Sequence, residues 1–209
     1  MEFSGDPLWL EDILRAGLGQ RLRVMDGWRE SGTGGQMGRI WGVMIHHTGN
    51  RTETKERIRS GRIDLAGPLA QCLIEPDGTC WLVAVGPCNH AGAGTYPGIP
   101  TNDGNRVLIG FECAWPLIHP DGSYDQHERW PDAQIITMRD ATAAVLQQLG
   151  YGPERVIGHK EYATHYPNIK WDPGNLDMDW FRSEVGKALS GQFQTLTAQA
   201  PRCYDSWQT

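Results

Sequence analysis

The sequence predicts an α/β fold in which a mixed central β-sheet is flanked by helices, with a cleft over the ends of its strands. Apolar runs of strand length recur along the chain, most clearly at 40–47 and 107–115. Between them lie segments with apolar residues at helical spacing, such as 133–149. An Asp-Gly pair between two further apolar runs is typical of an antiparallel hairpin, and the combination indicates an α/β class.

The first third of the chain predicts one helix, one loop and one central strand. Residues 8–17 form a short amphipathic pattern with Leu10, Ile13 and Leu14 on one side. Residues 27–38 are polar and rich in glycine, which is typical of a loop. The run 40–47 is apolar enough for a strand buried in the middle of the sheet.

The middle of the chain predicts a hairpin followed by a long loop. Apolar residues at 69–75 and 79–85 flank Pro76-Asp77-Gly78, where the Asp-Gly pair suits a hairpin turn. Residues 87–106 are rich in glycine, proline and asparagine, and we expect a long surface loop there. Loops of this length in compact domains are usually functional.

The last third predicts two helices and two strands. The strand 107–115 is followed by a helix over 133–149, which Gly150 ends. A short strand is expected at 155–158. Asp177 is suited to cap a final helix. The apolar residues of that helix are Trp180, Phe181, Val185 and Leu189.

The chain of 209 residues is of single-domain length. We expect residues 1–37 to form a helix and loop packed on a catalytic domain at 38–190, and residues 191–209 to be a linker-like tail. The chain has five cysteines, an odd number without a C-x-x-C pair, which argues against a disulfide framework.

The charge pattern excludes several classes of partner. The net charge is −6 and no basic run stands out, because the stretch 51–62 also carries acidic residues and suits a solvated helix face; nucleic acid is therefore not an expected partner. No segment is apolar for the length of a membrane helix, so we expect no membrane insertion, and we expect a monomer. The N-terminus lacks the features of a signal peptide, which predicts synthesis in the cytoplasm.

Three polar clusters follow predicted strands or precede the last helix. They are Ile45-His46-His47-Thr48, Gly158-His159 and Lys170-Trp171-Asp172-Pro173-Gly174. Two imidazoles and one carboxylate make a sound zinc site with one position open for water. A single histidine at a strand end is more often structural, and strand alternation lets only one of His46 and His47 face a given site. The residues alone leave that choice open.

Five motifs in a fixed order carry a family resemblance. They are Ile45-His46-His47-Thr48, Asn89-His90-Ala91-Gly92, Ile109-Gly110-Phe111-Glu112, Gly158-His159-Lys160-Glu161 and Lys170-x-Asp172-Pro173-Gly174. Over roughly residues 38–190, the chain resembles the type-2 N-acetylmuramoyl-L-alanine amidases, which share a fold with peptidoglycan recognition proteins. Gly27-Trp28-Arg29 ahead of the first motif resembles the amidase modules of phage endolysins.

The resemblance implies a set of roles. His46, His159 and Asp172 are similar to the zinc ligands of the family. Glu112 resembles the general base, and Lys170 resembles the residue that stabilises the oxyanion. The substrate contacts that the resemblance suggests are His90, Ala91, Asn105 and Arg106.

Some positions depart from the pattern or lack a role. Many members have an aromatic residue or a histidine where this chain has Leu69-Ala70-Gln71, so we expect an altered substrate wall. His119 and His127 lie in a polar loop and are expected to be exposed, whereas His165 suits either the cleft or the surface.

Physical chemistry supports the same roles without the family. Zinc lowers the pKa of water towards about 7 and polarises a carbonyl. Glu112 lies among apolar residues, where burial raises a carboxyl pKa towards the value that a general base requires. The alternative for Glu112 is a buried salt bridge, for instance to Arg106, and the alternative for Lys170 is a solvated loop lysine.

Together these features predict a zinc-dependent amidase that cuts peptidoglycan between N-acetylmuramic acid and L-alanine, as a phage endolysin that acts on the cell wall after release. Two alternatives remain: a binding module of the same fold that recognises peptidoglycan without cutting it, and a zinc hydrolase of another small amide. The presence of His46, His159 and Asp172 together with Glu112 favours the enzyme.

Overall fold

The computed structural model describes residues 3–193. Within that range the chain folds into a six-stranded sheet, a separate two-stranded hairpin and six α-helices. The strands are β1 (Leu22–Val24), β2 (Gly42–His47), β3 (Gly61–Arg62), β4 (Leu65–Ala66), β5 (Cys72–Ile74), β6 (Cys80–Leu82), β7 (Leu108–Cys113) and β8 (Val156–Gly158). The helices are α1 (Leu10–Leu18), α2 (Lys55–Ser60), α3 (Gly104–Val107), α4 (Asp132–Leu149), α5 (His159–Tyr162) and α6 (Met178–Leu189).

The large sheet is mixed, which confirms the predicted fold class. Its strand order is β1-β6-β5-β7-β2-β8. Only the β5–β6 hairpin is antiparallel, and it forms around the predicted Asp-Gly turn. The other neighbours, including β7, β2 and β8, run parallel. The carboxyl ends of these last three strands therefore meet at one edge of the sheet, where α/β folds place their sites.

Strand alternation gives the sheet two different faces. On the core face, Val43 and Ile45 of β2 pack in one cluster with the apolar sides of α1, α4 and α6. On the other face, which we call the site face, Met44 packs with Leu108 and Tyr162 in a second cluster. The three long helices thus cover the core face, whereas short helices and the segment that follows β6 cover the site face.

The helix ends follow the predicted local chemistry. Gly150 ends α4 in the left-handed conformation, with φ of 72°, which glycine adopts at little cost. Asp177 caps α6, and its side chain accepts hydrogen bonds from the N–H groups of Asp179 and Trp180. Both long helices of the second half therefore end or begin where the sequence indicates.

Several segments differ from the prediction, including the β3–β4 hairpin, which was not predicted. Residues 87–106 are not simply a surface loop, because Cys88, Ala91 and Ile99 are buried in it. β1 was not predicted, since a three-residue strand leaves no readable period. The loop 27–38 contains a short 3₁₀ turn at Trp28–Glu30 whose tryptophan is buried.

The ends of the chain stand in different relations to the fold. Leu10 and Leu14 of α1 are fully buried against the main core, so the N-terminal segment contributes to the same body. Most of the predicted tail, residues 194–209, lies outside the described residues. Among residues 3–193, no helix is both long and apolar enough to cross a bilayer.

Candidate metal centre and active site

Three side chains converge at the carboxyl edge of the sheet. Nδ1 of His46, at the end of β2, lies 3.1 Å from Nδ1 of His159, at the start of α5. Oδ2 of Asp172 lies 3.0 Å from the His46 nitrogen and 3.1 Å from the His159 nitrogen. All three residues are buried. The structure therefore brings the three predicted metal ligands together, and they form a group able to hold a metal ion.

The structure also decides between the two adjacent histidines. His46 points to the site face and joins the ligand group, whereas the His47 ring turns towards Trp115, a residue of the core-face cluster. Nδ1 of His47 accepts a hydrogen bond of 3.0 Å from the N–H of Gly174. Its ring packs against Trp115 and Trp171. His47 thus fixes the loop that carries Asp172.

Lys160 of α5 also holds this loop, through hydrogen bonds to its backbone. The N–H of Lys160 donates to the Asp172 carbonyl at 2.7 Å. Its Nζ donates to the carbonyls of Pro173 and Leu176 at 2.9 and 2.7 Å. The Asp172 carboxylate is therefore presented by a loop whose backbone is fixed on both sides.

Burial and hydrogen bonds together shift the pKa values of His46 and Asp172. Burial lowers the pKa of His46 to about 4, against the opposing hydrogen bond to Asp172, so its ring is neutral at pH 7. Burial alone would raise the pKa of Asp172, but the hydrogen bonds with His159 and His46 outweigh it and the net pKa falls below its ordinary value. Neutral imidazoles and an ionised carboxylate are the forms that bind metal.

Glu112 lies beside the ligand group on the site face. β2 and β7 pair so that Glu112 is in register with His46. The side chain is partly exposed, but its Oε2 is buried and has no hydrogen-bond partner among residues 3–193. Burial raises its pKa well above the ordinary value, and the nearby carboxylates of Asp172 and Glu53 add to this.

The alternative interpretation of Glu112 does not hold. Arg106 is exposed, and its described hydrogen bonds involve its backbone: its N–H donates to the Asp103 carbonyl and its carbonyl accepts from the N–H of Gly38. Within the described part of the chain, no ion pair joins Glu112 to Arg106. A carboxylate oxygen that is buried and unpaired next to a ligand cluster is a candidate for proton transfer.

Lys170 lies on the wall of the same cleft. The cleft has a volume of about 160 Å³. Besides the ligand group and Glu112, its lining residues are His47, Thr48, Glu53, Ile58, Arg62, Leu65, Leu69, Asn89, His90 and Lys170. The Lys170 side chain is exposed, and its backbone N–H is fixed to the Ala163 carbonyl at 2.9 Å. A cation is thus placed at the mouth of a cleft that is lined by three carboxylates, those of Glu53, Glu112 and Asp172.

The sequence of the central part of the chain matches a protein family. The model of N-acetylmuramoyl-L-alanine amidases matches residues 36–175, more than half of the 209 residues. The chain belongs to the N-acetylmuramoyl-L-alanine amidase family. The predicted enzyme class, an amidase that acts on peptidoglycan, is thereby confirmed. No curated protein sequence matches the chain.

Several solved structures share the fold at low sequence identity. AmiA of Staphylococcus aureus in complex with its ligand has a TM-score of 0.57 at 15% identity, covering 93% of this chain and 98% of that one. AmpD has a TM-score of 0.55 at 19% identity, covering 81% and 97%. AmiD of E. coli, in complex with anhydro-N-acetylmuramic acid-L-Ala-D-gamma-Glu-L-Lys, has a TM-score of 0.55 at 19% identity, covering 77% and 62%.

The predicted substrate contacts fall into different places in this amidase. His90 lines the cleft but is also hydrogen-bonded to His46, with His46 Nε2 and His90 Nδ1 3.0 Å apart. Ala91 is fully buried. Asn105 is partly buried and its side chain bonds to backbone, and Arg106 is exposed and lies outside the cleft lining. Of the four, only His90 faces the cleft.

The residues between β4 and β5 do not form the wall that the family pattern suggests. Leu69 does line the cleft. Gln71, in contrast, is fully buried, where its Oε1 accepts from the N–H of Gly110 at 2.7 Å and its Nε2 donates to the Gly86 carbonyl at 2.9 Å. Gln71 therefore joins two backbone segments, and the altered wall consists of Leu69 alone.

Sequence analysis missed two charged residues of the cleft. Glu53 and Arg62 line it, and both influence the pKa of Glu112. Their stretch, 51–62, has the charge pattern of a solvated helix face, and nothing in that pattern signals a cleft. The remaining histidines, His119, His127 and His165, are all exposed.

A larger groove lies elsewhere on the molecule. It has a volume of about 700 Å³ and lies where α1, α4 and the end of α6 meet. In this groove Arg21 and Asp140 form an ion pair, with their side chains 2.7 Å apart. The ligand group and Glu112 lie in the smaller cleft. We therefore place the candidate active site in the smaller cleft, although the groove is larger.

Proposed function

We propose that this chain is a zinc-dependent hydrolase that cleaves the amide bond between N-acetylmuramic acid and L-alanine in peptidoglycan. One observation carries the proposal. The ligand atoms of His46, His159 and Asp172 lie 3.0–3.1 Å apart beside Glu112, whose buried oxygen has no partner among the described residues.

The donor set fits zinc. Two imidazoles and one carboxylate, with a fourth position left for water, are typical of catalytic zinc. At zinc–ligand distances of about 2.0–2.2 Å, tetrahedral ligands lie about 3.3–3.5 Å apart, close to the spacing of this triangle. When bound, zinc would act as a Lewis acid on the scissile carbonyl and lower the pKa of the attacking water.

Glu112 supplies the proton transfers. Its carboxylate lies one strand away from His46, and so it is next to the ligand group while it binds no metal itself. Because burial and neighbouring carboxylates raise its pKa, Glu112 can accept a proton from water near neutral pH and return it to the leaving amine. A carboxylate with an ordinary pKa would be a weaker base.

Lys170 supplies a fixed positive charge. It lies on the cleft wall with Glu112 and Asp172. The carbonyl oxygen of an amide becomes negative as water adds to the carbon, so a cation that is already in place stabilises the transition state more than the ground state. The anchored backbone of Lys170 keeps the stem of its side chain at the cleft.

The substrate assignment rests on the family and on a related complex. The family is named for the bond between N-acetylmuramic acid and L-alanine. AmiD of E. coli was solved with a muramyl peptide that contains this linkage. A zinc site with one general base suits attack on a carbonyl, whereas glycoside hydrolysis uses two carboxylates on opposite sides of a sugar link.

Digestion of purified cell walls tests the proposal. We expect new L-alanine amino termini and no new reducing sugar ends, and we expect a chelator to stop the release and added zinc to restore it. New reducing ends, or amino termini from a residue other than L-alanine, would contradict the bond assignment. Binding to walls without any product would favour the non-catalytic module instead.

We propose further that the biological setting is phage-induced lysis, in which the enzyme is made in the host cytoplasm and reaches the wall after release. The support is the resemblance of Gly27-Trp28-Arg29 and the following motif to endolysin modules. Expression inside bacteria should leave cells intact until their membrane is permeabilised, as turbidity would record. Lysis on expression alone would contradict this setting. The monomeric state stays a prediction, which light scattering can check.

A further inference from the structure

We propose that His90, Ala91 and the side chain of Asn105 form one unit, the ligand clamp, that positions both imidazole ligands of the metal centre. The inference rests on the proposed function, because it assigns new positioning residues to the proposed zinc site. It also changes the expected role of Asn105 from a substrate contact to a support of the ligands.

The clamp holds His159 through a backbone carbonyl. Nε2 of His159 lies 2.9 Å from the carbonyl oxygen of Ala91. A carbonyl oxygen only accepts hydrogen bonds, so Nε2 must carry the proton. The neutral ring then has its lone pair on Nδ1, the atom that faces Asp172 at 3.1 Å. The Ala91 carbonyl therefore fixes both the orientation and the tautomer of this ligand.

The clamp holds His46 through a second imidazole. Nε2 of His46 lies 3.0 Å from Nδ1 of His90, and the two rings are nearly perpendicular, with an interplanar angle of 88°. For Nδ1 of His46 to offer a lone pair to a metal, its Nε2 must donate the hydrogen bond and His90 must accept it. His90 is itself buried, so its ring cannot turn away into solvent.

Asn105 fixes the backbone of the two contacting residues. Its Oδ1 accepts hydrogen bonds from the N–H of His90 at 3.0 Å and from the N–H of Ala91 at 2.7 Å. One oxygen therefore sets the orientation of two consecutive peptide groups. The second N–H belongs to Ala91, whose carbonyl faces His159. A change at Asn105 therefore reaches both proposed ligands through one short segment.

Two glycines show how closely the clamp is packed. A Cβ on Gly110 of β7 would lie 2.9 Å from Cγ and Nδ1 of His90. A Cβ on Gly104 would lie 2.6 Å from the Cβ of Ala91. Contacts this short require a shift of the neighbour, so the missing side chains let the segment lie against the strand and the start of α3. The clamp thus has little freedom to move.

The arrangement predicts a shared effect on both ligands. His46 and His159 are 113 residues apart in the chain, yet adjacent residues serve as their outer hydrogen-bond partners. Loss of outer-shell partners typically costs about 10–100-fold in metal affinity. We therefore expect Asn105→Leu, which keeps the side-chain size but removes the acceptor, to weaken zinc binding by about 10–100-fold.

The test measures zinc affinity by competition with a chromophoric chelator, on the whole chain and without substrate. Asn105→Asp keeps the oxygen acceptor and should retain wild-type affinity. In that case the weaker binding of Asn105→Leu results from the lost acceptor and not from a general loss of folding. Asn102→Gly is the matched control, because it removes an asparagine that accepts from Gly94 in the same loop but contacts neither His90 nor Ala91. Glycine suits the positive φ of Asn102, and this variant should bind zinc normally.

A second pair of variants covers the case in which Asn105→Leu does not fold. His90→Leu removes the acceptor for His46, and His90→Asn can restore an acceptor at the same distance from the backbone. We expect the leucine variant to bind zinc more weakly and to alter the visible spectrum of the cobalt-substituted protein, and the asparagine variant to recover part of both.

The outcomes separate the clamp from the proposed function. Wild-type affinity and an unchanged cobalt spectrum in both leucine variants would overturn the clamp while the metal site stands. A wild-type chain that binds no zinc would overturn the metal site on which both proposals depend. Zinc binding that is weakened as expected, in a protein that releases no L-alanine termini, would support the clamp and contradict the proposed function.

Discussion

His46 and His47 are consecutive residues at the end of the same strand, yet they do different things. Burial lowers the pKa of both to about 4, so neither burial nor protonation distinguishes them. What differs is the set of atoms that each ring meets. His46 converges with a second imidazole and a carboxylate on the site face, whereas His47 accepts from one backbone N–H among tryptophans on the core face. Converging donor atoms, and not a shifted pKa, distinguish His46 as the proposed metal ligand.

The largest effect on turnover is expected at Glu112, which shares the site face with His46. Glu112→Gln should lower kcat by about 10²–10⁴-fold while zinc binding and the fold remain, because the side chain moves protons and binds no metal. Rates of L-alanine release and zinc content measured together check this.

Glu53→Gln is the matched control for Glu112. It removes another carboxylate from the cleft wall, but one that pairs with Arg57. We expect a much smaller loss of rate than for Glu112→Gln. Equal rates for the Glu112 variant and the wild type would show that the site face has no general base at this position.

A somewhat smaller effect is expected at Lys170. Lys170→Met keeps the length of the side chain and removes its charge, and it should lower kcat by about 10²–10³-fold, the usual loss for one group that stabilises an oxyanion. Lys55→Met, at a partly buried lysine that packs over Trp81 and lies outside the cleft lining, serves as the control. A loss confined to KM would indicate that Lys170 binds substrate and does not stabilise the transition state.

On the core face, the expected effect is on stability. His47→Ala leaves the buried N–H of Gly174 without its acceptor and opens space beside Trp115. We expect a loss of about 1–3 kcal/mol in the free energy of unfolding, with the zinc stoichiometry unchanged. Denaturant unfolding in excess zinc measures it. A stability like that of the wild type would mean that the loop of Asp172 is held without His47.

The smallest effect concerns the pH dependence of stability at Glu112. Its pKa is raised in the folded state, so the protonated form is the one that folding favours. The stabilisation is present below the ordinary carboxyl pKa and is lost as the pH rises through the raised folded-state value. In the presence of a chelator, Glu112→Gln should therefore have a free energy of unfolding about 0.5–2 kcal/mol larger than that of the wild type near pH 7. This difference should shrink towards pH 4.

Melting curves of both proteins over this pH range test the sign of that difference. A wild type that is more stable than Glu112→Gln at pH 7 would mean that the ionised carboxylate has a stabilising partner in the folded protein.

The three residues of the ligand group and most elements of the fold could be predicted because their signals are local. His46, His159 and Asp172 each follow or precede a recognisable strand or helix, and their motifs occur in order along the chain. The parallel pairing of β2 with β7 and β8 then brings the strand ends together. Helix ends at Gly150 and Asp177 follow rules of a few residues.

The parts that were not predicted depend on contacts between distant residues. Asn105 bonds to the backbone of residues that precede it by 14 and 15 positions, and Gln71 bonds to Gly110, 39 positions away. Polar residues in a glycine-rich segment or ahead of a hairpin are usually solvated, and only the folded chain shows which oxygen meets which N–H. Arg62 likewise reaches the cleft through the small β3–β4 hairpin, which has no apolar alternation to signal it.

The zinc content of His46→Ala and His47→Ala, measured side by side on protein purified under identical conditions, tests the assignment of the metal centre. Both variants remove one imidazole from the same strand end, so they differ only in the face of the sheet that they alter. We expect one zinc per chain in the wild type and in His47→Ala, and none in His46→Ala. Full zinc occupancy in His46→Ala, or its loss in a folded His47→Ala, would contradict the assignment of the metal centre.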